Sequence, residues 1–558
     1  MGLSMTEAIA AVTAPGQMFE VADVERGGVV NREFVNAPET LRSYFEQLAG
    51  DDRTFLVYED EEWTFDRVHQ EISALADALV AHVGVKPGDR VGIAMRNLPE
   101  WIVSFGAIVS IGAVSVSLNA WWTEDEMAYA IEDAGLTLLI ADQERLSRAH
   151  ATCRARGVAM LGVRLDQLQP PPPGVERWSR VVVAGRPMPP ADLHGDLDAT
   201  ILYTSGTTGR PKGAVSTHRA VSQAIIAFAS NTAVIEARRD PGEEGSGLAP
   251  CFILIVPLFH VTGCIPVMMS CVAWHFKLVM MYRWDPERAL SLIDRHRVTS
   301  FVGVPTQAWD LLEHPRFSEF DTSSLVSIGG GGAPAPPTLV ARVESSFTRG
   351  RPQLGYGMTE TNAYGPGNYG EDYVTHPSST GRVRTAVLDV AIRDDEGRDL
   401  PVGERGEIWL KSPTLIRGYW RQPESTAATI VKGWLRTGDV GRADAEGYLY
   451  IEDRKKDMIL RAGENVYSAE VEAAIYEMSA VYEAAVLGVP HERLGEEVAA
   501  VIVRKAGMEL SSEALRDHLA DRLAAFKVPT RVAVIDEPLP RNAAGKVLKR
   551  DLAGLYFA

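Results

Sequence analysis

Cysteine is scarce in this chain. The four present, Cys153, Cys251, Cys264 and Cys271, are too few for a disulfide framework and fit a reducing cytoplasm. His260-x3-Cys264 and Cys271-x3-His275 have the helical spacing of zinc ligands. Pro266 interrupts that segment and its surroundings are apolar, so buried thiols and a pocket histidine are expected instead. Positive charge is also short. Lysine and arginine number 56 against 74 acidic residues, a formal net charge of −18, which argues against nucleic acid or an anionic membrane as the main partner. Any anionic ligand must then be held by local donors. No basic flank precedes an apolar core near the N-terminus, so no signal peptide is expected. Charge is missing altogether, histidine apart, from Cys251 to Phe276. That length would suit a membrane span, but two prolines, Gly263 and two histidines interrupt it. An apolar channel wall is the better expectation, and no transmembrane segment is assigned.

At 558 residues the chain is too long for one ordinary core, so two or more domains are expected. Helical and strand-like patterns alternate through the first two hundred residues. Trp63 to Val80 and Asn97 to Ala107 read as helices; Gly88 to Ala94 reads as a turn into a strand, and Gly112 to Leu118 and Leu136 to Ala141 read as strands. That interval implies an α/β sheet with covered faces. Residues 230 to 248 read as a polar excursion. In the last hundred residues Ser468 is a candidate helix cap, Val498 to Val503 a buried strand, and Leu515, Leu519 and Leu523 one helical face.

One stretch organises the rest. After the apolar run Ala199 to Leu202 comes Tyr203-Thr-Ser-Gly-Thr-Thr-Gly-Arg-Pro-Lys212-Gly213. Glycine lets a backbone turn its N–H groups towards an anion. Thr204, Ser205, Thr207 and Thr208 add hydroxyl donors, Gly206 and Gly209 add freedom, and Lys212 adds charge. That is the chemistry of a loop around a polyphosphate. It is not a Walker loop, because Lys212 is followed by glycine.

Further motifs follow in order. His260 lies in Pro257-Leu-Phe-His-Val-Thr-Gly263, at the start of the uncharged stretch. A strand-like run ends in Gly329-Gly-Gly-Gly332-Ala333-Pro334. In Tyr356-Gly-Met-Thr359-Glu360 the tyrosine can stack on a purine and the threonine can donate to a phosphate oxygen. Glu360 is a hard oxygen ligand suited to Mg²⁺. Trp434-Leu-Arg-Thr-Gly-Asp439 places a carboxylate after glycine, able to accept ribose hydroxyls. Glu452 to Asp457 is a run of mixed charge that reads as a solvated linker, and Gly545-Lys546 lies on a polar loop near the end.

These motifs, in this order, resemble those of the adenylate-forming superfamily of acyl-CoA synthetases, adenylation domains and firefly luciferase. The resemblance covers residues 203 to 546. It implies a large α/β N-terminal domain of several subdomains, residues 1–453, and a small mobile α/β C-terminal domain, residues 454–558. ATP, Mg²⁺ and coenzyme A are implied, with a small carboxylic acid as substrate. Thr204 to Gly209 and Lys212 would hold phosphates. Gly332, Ala333, Pro334, Tyr356 and Gly357 would border adenine, and Asp439 and Arg454 the ribose. Thr359, Glu360, His260 and Lys546 would be catalytic, with Glu360 on the metal. His260, Val261, Thr262, Gly331 and Met358 would line the acyl pocket, although Thr262 stands where asparagine is more usual. Lys456 would be the hinge, and Gly463 would leave room for pantetheine.

A medium- or long-chain fatty acid is the first expectation, because Met268, Met269, Met280 and Met281 offer adaptable apolar lining. An aryl or polycyclic acid stands behind it, as does acyl transfer to a carrier protein or oxidation as in luciferase. A nucleotide-binding module without chemistry is the reading from another class. Peripheral membrane contact and a homodimer are left open.

Overall fold

Alternating strands and helices build two eight-stranded sheets. The structure is a computed structural model describing residues 2–165, 170–204, 210–240, 247–332, 335–455, 457–462, 464–541 and 547–557. In the first sheet, Val114–Ser117, Arg90–Ala94, Leu138–Asp142, Ala159–Val163 and Val175–Arg177 run parallel to Asp198–Tyr203. Gly213–Thr217 then turns back antiparallel beside Asp198–Tyr203. In the second sheet six strands are parallel, in the order Arg351–Gly355, Ser327–Gly331, Ser300–Gly303, Cys251–Leu254, Lys277–Met280 and Thr54–Tyr58. A third, antiparallel sheet contains Gly406–Lys411, Trp434–Ala443 and Leu449–Arg454.

The expected strands are present, with ends shifted by one to three residues. Helix Pro99–Ser110 has all twelve of its residues buried. A helix apolar all round belongs in a core, and this one lies in the apolar cluster joining Val91 and Ile93 of the first sheet to Leu254 and Met280 of the second. The helix expected from Trp63 begins at Phe65, because Glu61–Thr64 is a strand and the Thr64 side chain caps Arg67 N–H.

Two expectations are corrected. The supposed polar excursion is in part the helix His218–Ala237. Its Ala227, Ser230 and Val234 are buried, and the charges after Arg238 mask that periodicity. Ser468 is no cap; it is the first helical residue of Ser468–Tyr476, after Tyr467, and its hydroxyl donates to Asp453 instead. The uncharged stretch is broken into strand Cys251–Leu254, a π-helix Gly263–Met269 and helix Ser270–Trp274. Among the described residues one helix, His218–Ala237, is long and apolar enough to cross a membrane, and 56% of its window is buried within the fold.

The small C-terminal domain has a five-stranded sheet centred on Val481–His491 and Gly495–Arg504. Alternate residues face opposite sides. Val498, Ala500 and Ile502 pack with Ile475, Leu515 and Leu519, while Ala499 and Val501 pack with Leu552. Leu523 lies past the end of helix Ser512–Ala520.

Asn97 ties the two large sheets together. Its buried amide donates to the carbonyls of Val256 and Met281, at 3.1 and 3.2 Å, and accepts the Leu258 N–H at 2.9 Å. The first sheet thereby holds the loop that carries His260. Asn97→Ala would strand a buried N–H and two carbonyls, so a loss of about 2–4 kcal/mol is expected. A lowered urea midpoint checks this; a midpoint unchanged from wild type contradicts it.

Candidate active site

Three of the six parallel strands of the second sheet end in glycine beside one cavity of about 2290 Å³. Ligands of open α/β sheets bind outside such carboxyl ends. Gly303, Gly331 and Gly355 end adjacent strands. A Cβ on Gly331 would meet the Gly355 carbonyl at 3.0 Å, a tight contact. Gly331 and Gly332 line the cavity. Ala333 and Pro334 lie outside the described residues.

The Tyr356 turn is tighter still. A Cβ on Gly357 would meet the Ala363 carbonyl at 2.3 Å, and one on Gly365 the Tyr356 carbonyl at 2.3 Å. Asn362 takes φ +53°, a region asparagine tolerates better than most residues. Its buried amide accepts from Ser216 Oγ at 3.0 Å and donates to the Thr414 carbonyl at 2.8 Å. The turn carrying Thr359 and Glu360 is thus fixed to the strand that follows the phosphate-type loop.

Within that loop, Thr204 N–H donates to the Lys212 carbonyl at 2.9 Å, which closes its base. Ser205, Gly206, Thr207, Thr208 and Gly209 lie outside the described residues. Lys212 Nζ donates to Ser425 Oγ at 3.2 Å and sits 5.0 Å from the centre of the Tyr419 ring. The Tyr419 hydroxyl donates to Glu360 at 2.7 Å. Burial and the neighbouring Glu360 raise the Tyr419 pKa, so it remains a donor. Lys212 and Glu360 are therefore brought to one place through Tyr419, which no sequence motif marked.

Tyr356, Asp439 and Arg454 also converge. The Tyr356 hydroxyl donates to Asp439 at 2.6 Å, and Arg454 lies 3.3 Å from the other carboxylate oxygen. Burial first, then Asp439, holds Tyr356 far above its usual pKa. Each carboxylate oxygen has two lone pairs, so Asp439 retains acceptors. His260, Val261, Thr262 and Met358 line the same cavity. Burial lowers the His260 pKa to about 4. Its Nδ1 accepts the Thr262 N–H at 3.3 Å, so the ring is neutral at physiological pH with its proton on Nε2.

Glu452 to Asp457 is not uniformly a solvated linker. Asp453 is buried and accepts from Ser468 N–H at 2.5 Å; burial raises its pKa. Lys549 reaches Ser468 Oγ and Glu472, each at 2.7 Å. Lys456 and Gly463 lie outside the described residues, as does Lys546. The base of the Lys546 loop is described: Arg541 and Val547 form an antiparallel bridge, and both line the cavity.

The zinc-like spacing has other uses. All four cysteines are buried, with burial raising Cys153 to about 12 and Cys251 to about 11, and His275 pairs with Asp51 at 2.6 Å. The four methionines expected as lining are corrected. Met268, Met269, Met280 and Met281 are core residues, packed behind the cavity wall.

The family model for AMP-binding enzymes matches residues 46–420, and that for the AMP-binding enzyme C-terminal domain matches 470–546. The chain belongs to the adenylate-forming, AMP-binding enzyme family. It is 34% identical over 506 residues to the long-chain-fatty-acid–CoA ligase FadD13 of Mycobacterium tuberculosis, covering 89% of this chain and 94% of that one. It is 35% identical over 533 residues to an M. tuberculosis CoA ligase for a methyl-dioxo-octahydroindenyl propanoic acid, covering 93% and 98%. The o-succinylbenzoate CoA synthetase of Bacillus subtilis, solved with its acyl-adenylate, superposes with a TM-score of 0.77 at 29% identity, covering 92% and 98%. The enzyme is thus an acid–thiol ligase that binds ATP and activates a carboxylic acid by adenylation. Its large and small α/β units are the two domains of that family.

A magnesium ion suits Glu360. Among the described residues no group of three or more His, Cys, Asp or Glu is placed to hold a resident metal. Mg²⁺ arriving with a nucleotide needs one or two carboxylates plus phosphate and water, and Glu360 supplies a cavity-lining carboxylate held by a neutral donor.

One buried histidine sets an acid limit on stability. His218 is buried, accepts the Leu41 N–H through Nδ1 at 3.1 Å, and is lowered to about 4 by burial. An unfolded histidine binds its proton near 6.5. The stabilisation is full above that pH and is lost as pH falls towards 4. The urea midpoint of the wild type is expected to drop across this window, and that of His218→Gln to drop less. Equal slopes for the two proteins contradict the assignment.

Proposed function

We propose that the enzyme joins coenzyme A to a ring-bearing carboxylic acid, aryl or polycyclic, through an acyl-adenylate. The carrying observation is the aromatic wall of the cavity. Phe19 and Trp274 have ring centres 6.4 Å apart, and Phe252 stacks on Phe276 at 6.0 Å. Phe228 meets Tyr364 edge-on at 5.2 Å. Four of these rings, together with Phe228, line the cavity, and aromatic edges and faces suit a flat or fused ring. With the methionines in the core, the argument from them for a flexible fatty chain falls. Similar proteins named for indenyl propanoic and succinylbenzoic acids support the same choice.

The difficulty of the first step is electrostatic, since a carboxylate must attack a phosphate. In our reading an oxygen of the acid attacks the α-phosphorus of ATP, and the bond to pyrophosphate breaks. Thr359, Lys212 and Lys546 neutralise or hold phosphate oxygens. Neutral His260 offers its Nε2–H to the acid without competing for the phosphates. Asp439 and Arg454 hold the ribose, Tyr356 the adenine, and Mg²⁺ on Glu360 would add charge neutralisation when bound. The small domain then turns about Lys456 and brings the Gly463 loop forward. The thiol sulfur of coenzyme A attacks the acyl carbon, loses its proton, and AMP leaves.

Lys546→Ala is expected to lower pyrophosphate release from acid and ATP by about 100-fold or more, while thioester formation from supplied acyl-AMP stays near wild type. Equal loss in both half-reactions overturns the division of labour. The acid class is tested by AMP formation with ATP and coenzyme A. Phenylpropanoic and fused-ring propanoic acids should exceed straight-chain acids of equal carbon number in kcat/KM by about tenfold; the opposite order overturns the ring-acid reading.

A further inference from the structure

Arg384 is out of place for a structural residue. It is 6% exposed, yet Nε and Nη2 are buried without a hydrogen-bond partner. The carboxylate acting on it, Asp372, is already shared by Arg238 at 2.8 Å and Arg382 at 3.3 Å. Three guanidiniums therefore crowd one carboxylate, and Arg384 is the one without an ion pair among the described residues. Burial without a partner lowers its pKa to about 10. Buried charge without an acceptor is costly, and such groups call for an explanation in function.

The surroundings indicate what the acceptor belongs to. Arg384 lines the cavity. Its electrostatic neighbours are Asp372, Arg238, Arg382 and Tyr364, none of them among the nucleotide motifs. Tyr364 packs on Phe228 and donates to Asn231 at 3.0 Å; Phe228 and Asn231 line the aromatic part of the cavity. The backbone leading to Arg384 is held firmly. Arg382 bridges Gly367, and Gly381 has φ +94° with no room for a Cβ, which would meet the Gly367 carbonyl at 1.9 Å. The guanidinium is thus preorganised beside the ring wall.

We infer that Arg384 forms a subsite for an acceptor oxygen on the acid, a ketone or a second carboxylate, separate from the carboxylate that is adenylated. This rests on the ring-acid reading and narrows it to oxygenated ring acids. An acceptor there would take one or two charge-assisted hydrogen bonds from the guanidinium.

The test uses three acids sharing one fused ring and a propanoyl arm: the hydrocarbon, its ring ketone and its ring carboxylate. AMP formation with ATP and coenzyme A is measured for the wild type, Arg384→Met and Arg384→Lys. The wild type should prefer one oxygenated acid over the hydrocarbon by about 10- to 100-fold in kcat/KM, and which one identifies the group. Arg384→Met should erase that preference while leaving the hydrocarbon within about threefold of wild type, and Arg384→Lys should keep part of it. A wild type that favours the hydrocarbon, or an Arg384→Met that lowers all three acids equally, overturns the subsite. Should Arg384→Met fail to fold, the wild-type preference and the thermal shift of wild type with each acid still decide. Should straight-chain acids alone be activated, the ring-acid reading fails. A fatty acid against its ω-carboxylate then tests Arg384 by itself.

Discussion

One buried carboxylate holds this molecule's working parts in register. Asp439 lies in a long strand of the third sheet, accepts from Tyr356 just past the carboxyl end of a strand of the second, and pairs with Arg454. Arg454 ends the last strand of that sheet, and the chain then enters the small domain. Two paired strands of the third sheet and a distant turn of the second therefore meet at a single charged group. The geometry is stiff because the Tyr356 turn cannot relax: its glycines are packed against carbonyls, and Asn362 fastens it to the first sheet.

An acidic chain that binds an anionic nucleotide must concentrate its donors. Glycine-terminated strands expose backbone at the cavity, Lys212 and Arg454 bring charge, and burial keeps His260 neutral, as the donor role proposed for it requires. Among the described residues the small and large domains meet through polar contacts: Tyr482 donates to Asp310 at 3.0 Å, Lys505 lies 3.6 Å from Glu313, and Ser468 donates to Asp453.

The sequence was most legible where a motif encodes backbone. Glycine runs, the Thr-Gly-Asp segment and the strand preceding the hydroxyl-rich loop stand out through residues few other positions need. The helix His218–Ala237 was misjudged at its end because a charged tail hid its buried face. Asn97, Asn362, Tyr419 and Arg384 were invisible for another reason. Each is a single polar residue whose meaning lies in partners between 52 and 184 positions away for the two asparagines, and a linear pattern carries no trace of such pairing. The methionines misled because a flexible apolar side chain looks the same in a core as in a pocket wall.

The central claim is that these converging segments drive an acid and a nucleotide phosphate together. Its most direct test is exchange of labelled pyrophosphate into ATP with a ring acid present and no thiol. The account predicts saturable, acid-dependent exchange, reduced by about 100-fold in Asp439→Ala with circular dichroism unchanged. Exchange that proceeds without acid, or that survives Asp439→Ala at the wild-type rate, would contradict it.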